Sequence, residues 1–187
     1  TKGGSLMIES EKAKSDAVFV KNLISNGLIP IGKTHMTELA FSGLGLNPQT
    51  KTPANSLDST LVPGGSSSGS AVSVSNQLSV ASIGSDTGGS VRIPAAWNNL
   101  VGLKTTLHSI NLKGVLKLCP SFDTIGPLCK SVQDASALFS SLRNKKVNLL
   151  SPLNLRQLRF LVIKNVFFEK LDQDLKISFD NQVEALK

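Results

Sequence analysis

Residues 64–90 read GGSSSGSAVSVSNQLSVASIGSDTGGS, and this stretch decides how the rest of the chain is read. Two Gly/Ser loops, 64–70 and 84–90, flank a run of small apolar residues. Glycine lets backbone pass close to a neighbour or a ligand. Each loop therefore offers hydroxyls and exposed N–H groups where close approach is allowed. The run between them has room for a helix over 70–77 and a strand over 80–83. A helix–strand unit that folds back brings the loops together and makes neighbours of Ser66 and Ser90.

Composition bounds what such a pair of loops can serve. The chain has 187 residues, 40% of them apolar, enough for one ordinary globular core. Its formal charge of +7 raises the question of nucleic acid. The basic residues are scattered, however, with Lys145 and Lys146 adjacent and no aromatic residues interleaved. A nucleic-acid binder needs a clustered basic face. Cys119 and Cys129 lack zinc-ligand spacing and are expected to be buried free thiols. No apolar run reaches the length of a membrane span. No membrane association is expected, and the cytoplasm is the default location.

Taken in order, the chain alternates helix and strand signals. Ser15 or Asp16 is a cap candidate for a helix through Ala17–Val20, Leu23 and Ile24, stopped by Asn26-Gly27. A short strand is expected at 28–31, then a short helix capped by Thr34 and containing Glu38. Residues 42–58 make a long loop, and long loops carry function. After the central unit, Pro94 suits the first turn of a helix over 94–98, and 101–103 reads as a core strand. Residues 114–116 and 120–127 read as loops around short extended pieces. A helix capped by Ser131 is expected over 134–142, then a polar connector over 144–158 and a strand over 159–163. Leu171, Leu175, Phe179, Val183 and Leu186 mark an amphipathic helix over 171–187. This alternation points to an α/β layered fold.

A longer match lies in PGGSSSGS (63–70), GSDTGGSVRIPAA (84–96) and VGLK (101–104). In residue type, order and spacing these resemble the amidase signature family of serine amidohydrolases, and weaker similarity covers nearly the whole chain. The resemblance implies a layered α/β/α fold with a mixed central sheet, truncated at both ends. On that view 1–187 is the central part of an amidase domain. It implies hydrolysis of a carboxylic amide C–N bond through a serine acyl-enzyme, with no cofactor and no metal. Ser90 corresponds to the nucleophile and Ser66 to the bridging serine of a Ser–cis-Ser–Lys triad. The Gly65–Ser66 peptide bond is then cis, and Ser66 buried and hydrogen-bonded. The family's lysine stands before a T-x-x-G-S-like segment, here Thr1-Lys2-Gly3-Gly4-Ser5. The chain is accordingly expected to be an internal fragment that lacks the lysine and is inactive alone. The family usually has Cys at Asn98 and Pro at Thr105; both departures read as peripheral to the chemistry.

The chemistry fits these assignments. An amide needs an activated nucleophile, a proton donor for the amine, and donors for the oxyanion. Thr87, Gly88 and Gly89 can aim N–H groups at the oxyanion. A hydroxyl accepts and donates at once, so Ser66 can relay a proton. Asp86 and Arg92 are expected to pair and, with Ser67, to support the loops. Residues 41–48 resemble a segment lining the family's acyl pocket, which makes Ala40, Phe41, Ser42 and Gly43 pocket candidates; a plain surface loop is the alternative. Residues 65–69 also fit the nucleophile elbow G-x-S-x-G with Ser67 as nucleophile. That elbow needs a preceding strand, which residues 55–60 do not resemble, and a histidine, of which only His35 and His108 are present. Three readings stay open: an amide hydrolase, the amidase subunit of a tRNA-dependent amidotransferase, and a decayed copy without catalysis. The expected partner is a small-molecule amide. A second copy of the chain is an open alternative, and nucleic acid enters only through the amidotransferase reading.

Overall fold

Phe19, Val20, Leu23 and Ile24 recur at helical spacing, and Val18–Ser25 forms α1 in the computed structural model. The structure describes residues 1–9, 12–145, 154, 157–163 and 168–186. Neither Ser15 nor Asp16 caps α1. Ala17 holds the N-cap position without a side-chain bond, and the Val18 N–H donates to the Lys113 carbonyl instead. No strand follows at 28–31. A strand exists through the ladder it shares with a neighbour, and among the described residues none pairs with this segment. Ile29 and Ile31 are 84% and 75% exposed. The next helical turn is a 3-10 turn, Glu38–Ala40, preceded by Thr37, not Thr34. Positive φ angles at Leu39 and Ala40 end it at once.

Small residues build the centre. Helix α2, Ser68–Ser75, starts inside the first Gly/Ser loop, two positions earlier than expected. Strand β1, Ser82–Asp86, starts later than expected and runs into the second loop. Arg92–Trp97 forms α3, with Pro94 in its first turn, where no N–H is required. Val101–Gly102 forms β2. Thr124–Cys129 forms β3, buried along its whole length. The described sheet has three strands in the order β1-β3-β2, all antiparallel, with Asp86 opposite Thr124 and Ser82 opposite Leu128. Its central strand is thus β3, a segment that the sequence presents as loop. Gly126 and Pro127 explain the difference. A Cβ at Gly126 would overlap the Leu103 carbonyl oxygen, so only glycine lets the chain pass there. Pro127 lacks an N–H but still accepts from the Leu103 N–H at 3.1 Å.

Side chains alternate across β3, as a strand requires. Leu128 packs with Ala71, Val91 and Ala95 of the α2 and α3 side. Ile125 packs on the other side with Leu23 and Leu142. Cys129 lies on that second side with Ala135 and Leu138, and is a fully buried free thiol. Helix α4, Val132–Arg143, supplies these partners. Ser131 caps it as expected, its Oγ accepting from the Asp134 N–H. Helices therefore cover both faces of the sheet, and the chain has an α/β fold.

Contacts divide the chain into two units, Thr1–Leu150 and Ser151–Lys187. The second unit contains α5, Gln173–Ala185, capped by Asp172, and an edge-to-face Phe168–Phe179 pair 5.2 Å apart. No strand forms at 159–163, and most of the expected connector lies outside the described residues. No helix among the described residues is long and apolar enough to cross a membrane.

Candidate active site

The site grows from the end of β1. Asp86 is its last residue and is completely buried. The Asp86 carboxylate accepts from the N–H groups of Gly89 at 2.8 Å, Val91 at 3.1 Å and Arg92 at 3.3 Å. It also accepts from Arg92 Nε at 3.0 Å and Nη2 at 2.9 Å. Burial pushes this carboxyl's pKa upward, but the Arg92 hydrogen bonds and charge and the Val91 and Arg92 amides together hold it below its ordinary value. The carboxylate thus folds residues 86–92 into a closed loop with Ser90 at its turn. Asp86 and Arg92 pair as the sequence suggests.

That loop uses up one expected oxyanion donor. The Gly89 N–H is taken by Asp86 Oδ1. No hydrogen bond within the described protein engages the N–H groups of Thr87, Gly88 and Ser90. Gly89 is therefore an anchor of the loop.

The first Gly/Ser loop packs beside the second. Its Gly65–Ser66 peptide bond is cis, as the resemblance implies. The Ser67 N–H donates to the Ser90 carbonyl at 3.2 Å, and Ser67 Oγ donates to the Ser85 carbonyl at 3.4 Å. Gly84 permits this approach, since a Cβ there would sit 2.8 Å from Ser67 Cβ. Ser66 is fully buried, and its carbonyl accepts from the Thr37 N–H at 3.0 Å. Among the described residues its Oγ has no hydrogen-bond partner, and neither have the buried hydroxyls of Thr37 and Ser68. The expected hydrogen bond on Ser66 Oγ is thus not made, and no bond joins it to the half-buried Ser90 hydroxyl.

Residues 40–45 run alongside. Gly65 donates to the Gly43 carbonyl at 2.8 Å and Gly64 to the Leu44 carbonyl at 3.1 Å. Among the pocket candidates, Gly43 therefore touches the Ser66 loop by backbone, Ser42 caps Leu44, Ala40 ends the 3-10 turn, and Phe41 is 81% exposed. Asn98, where the family usually has Cys, has a structural part. It is fully buried and donates to the Pro63 and Pro94 carbonyls, both at 2.8 Å, which fixes the entry to the Ser66 loop on α3. Thr105 Oγ1 donates to the Ile125 carbonyl of the central strand.

Two competing motifs fail on geometry. No strand precedes Ser67, and its hydroxyl is spent on the Ser85 carbonyl, so 65–69 is no nucleophile elbow. Residues 27–34, GLIPIGKT, fit the phosphate-loop pattern G-x-x-x-x-G-K-[ST]. A phosphate loop runs straight into a helix. Here Thr34 Oγ1 bonds Ser70 Oγ, Lys33 donates to Thr1, and His35 to Thr37 continue without helix.

Known proteins resemble this chain. The chain is 40% identical over 161 residues to a subunit of the glutamyl-tRNA(Gln) amidotransferase of Lactococcus lactis, covering 86% of this chain and 32% of that protein. It is 38% identical over 162 residues to 2-amino-5-chloromuconic acid deaminase of Comamonas testosteroni, covering 84% and 35%. A crystal structure of an amidase superposes with a TM-score of 0.77 at 38% identity, covering 82% of this chain and 35% of that one. The chain spans about a third of the length of these relatives. The amidase family profile matches residues 1–186, and the chain belongs to that family.

Proposed function

We propose that this chain carries the serine machinery of an enzyme that hydrolyses carboxylic amides. One observation carries the reading: Ser66 Oγ is fully buried, without a partner among the described residues, on a loop tied directly to Ser90. A buried hydroxyl left unpaired costs about 1–3 kcal/mol and calls for an explanation. Of the unpaired hydroxyls, only that of Ser66 belongs to a residue that both adjoins Ser67, which is bonded to Ser90, and carries the cis bond the resemblance implies. Ser90 Oγ attacks the amide carbonyl carbon. Its proton passes through Ser66 to a base and then to the departing amine, leaving an ester on Ser90. Water cleaves that ester, releases the acid and restores Ser90. Catalytic hydrogen bonds are often long before substrate arrives, which fits the unjoined Ser66 and Ser90 hydroxyls. The N–H groups of Thr87, Gly88 and Ser90 are the donors left for the oxyanion. The base in this proposal is a neutral lysine, the third member of the triad that the resemblance implies. Gly43 and its neighbours form one wall of the acyl site, and 1–187 forms part of a single amidase domain.

The similarity to a glutamyl-tRNA(Gln) amidotransferase favours a second reading of the same chemistry. There the ammonia is passed to a partner protein instead of being released. Turnover of a simple aryl amide by the full-length protein, with Ser90→Ala as control, tests the common step. Loss of turnover with an unchanged circular dichroism spectrum is expected; retained turnover in Ser90→Ala overturns the assignment. A requirement for a tRNA-binding partner separates the second reading from the first.

A further inference from the structure

The closed loop at Ser90 has two anchors, and only one comes from its own segment. Asp86 fixes the later half, through Gly89, Val91 and Arg92. The earlier half is fixed by Thr87, whose Oγ1 donates to Asp123 Oδ1 at 2.6 Å. Asp123 is 5% exposed and lies just before β3. Its carboxylate also accepts from the Cys119 N–H at 3.0 Å on both oxygens and from the Leu118 N–H at 2.9 Å. No cation pairs with it among the described residues. An ionised carboxylate only accepts, so the Thr87 hydroxyl is forced to be the donor and its rotamer is pinned. A bond this short to a charged acceptor is among the stronger kinds.

Between the two anchors stands Gly88. A Cβ there would meet nothing within 4 Å, and its N–H is unengaged. Two consecutive glycines leave a backbone free to wander unless its ends are held. We propose that Asp123 is a positioning residue for amide cleavage. Through the Thr87 hydroxyl it fixes the segment that presents the Gly88 and Ser90 N–H groups to the oxyanion. This inference rests on the hydrolase reading above, and it makes residues 118–123 part of the working site.

The test uses the full-length protein, with aryl amide turnover and the rate of Ser90 labelling by a fluorophosphonate probe. Asp123→Asn and Thr87→Val are each expected to lower kcat and labelling by about tenfold or more, less than the roughly hundredfold or greater cost of removing an oxyanion donor outright, because the N–H groups are displaced and not deleted. KM is expected to change by no more than about threefold, the mark of an interaction made in the transition state. The double variant should be no worse than the poorer single one, because both remove the same bond. Thr87→Ser, which keeps the hydroxyl, should recover most of what Thr87→Val loses. A kcat for Asp123→Asn within about twofold of the parent, additive losses, or no recovery in Thr87→Ser would each overturn the proposal. If Asp123→Asn does not fold, the Thr87→Val and Thr87→Ser pair decides. Failure of the underlying reading shows elsewhere, as absent Ser90 labelling and turnover in the unsubstituted protein, and then both proposals fall.

Discussion

Asp86 grips Arg92 with both carboxylate oxygens, Oδ2 to Nε at 3.0 Å and Oδ1 to Nη2 at 2.9 Å. The pair is lopsided: the Asp86 side chain is wholly buried and that of Arg92 is half exposed. Removing Arg92 strands a buried charge that keeps only its amide donors. Arg92→Ala is expected to cost about 1–2 kcal/mol, less than a fully buried pair because solvent reaches the guanidinium. A shift in the urea midpoint at constant slope checks this. Lysine cannot reproduce the fork, so Arg92→Lys should recover little of the loss.

Acid should act through the same carboxylate. The folded state holds the Asp86 pKa below its ordinary value of 3.8. The unfolded chain therefore binds the proton first as the pH falls. The stabilisation is complete above that ordinary value and is lost as the pH falls through the lower folded value. Melting temperature measured from pH 7 down to pH 2 should drop more steeply below about pH 4 in the parent than in Asp86→Asn. Equal slopes would show that Asp86 is not the group responsible.

Gly126 is predicted to be the least replaceable residue of the central strand. Gly126→Ala drives a methyl into the Leu103 carbonyl, and backbone yields poorly. A loss of about 2–4 kcal/mol is expected from such overpacking. A milder change there would mean that β2 and the chain after it shift freely.

Gly84→Ala tests the tie between the two loops. Its methyl would press on Ser67, whose N–H holds the Ser90 carbonyl. We expect Ser90 labelling to slow by more than the loss of stability alone explains. Unchanged labelling would show that the loops do not depend on each other.

Ser131→Ala probes a cap well away from the site. Its Oγ accepts from Asp134 N–H and donates to Asp134 Oδ2 at 2.7 Å. About 1 kcal/mol should be lost on thermal unfolding, with Ser90 labelling unaffected.

The pieces that the sequence reveals are those written into adjacent residues. Ser131 with Asp134, Asn26-Gly27 after α1, and the Asp86–Arg92 pair lie within a few positions of their partners. What it hides depends on residues far away. Gly126-Pro127 reads as a turn until Leu103 is placed above it. Ile29 and Ile31 look like buried strand by composition, yet nothing among the described residues pairs with them. Asp123 carries no local signal at all: an aspartate before Thr-Ile-Gly-Pro resembles a turn residue, and its partner Thr87 is 36 positions away. Gly89 misleads for a related reason, since spacing alone cannot say which N–H a buried carboxylate will take.

The thiol of Cys129 gives the fold a clock. It is sealed in the central strand, donating to the Ser131 carbonyl at 3.3 Å, and burial with the nearby Asp134 charge pushes its pKa upward. Only the thiolate reacts with an alkylating reagent. Each modification of Cys129 therefore counts one moment at which β3 has come away from its neighbours, and the rate reports how often the sheet beneath Ser90 opens. Cys119, half-buried in the same chain, supplies the reference tick from outside that core.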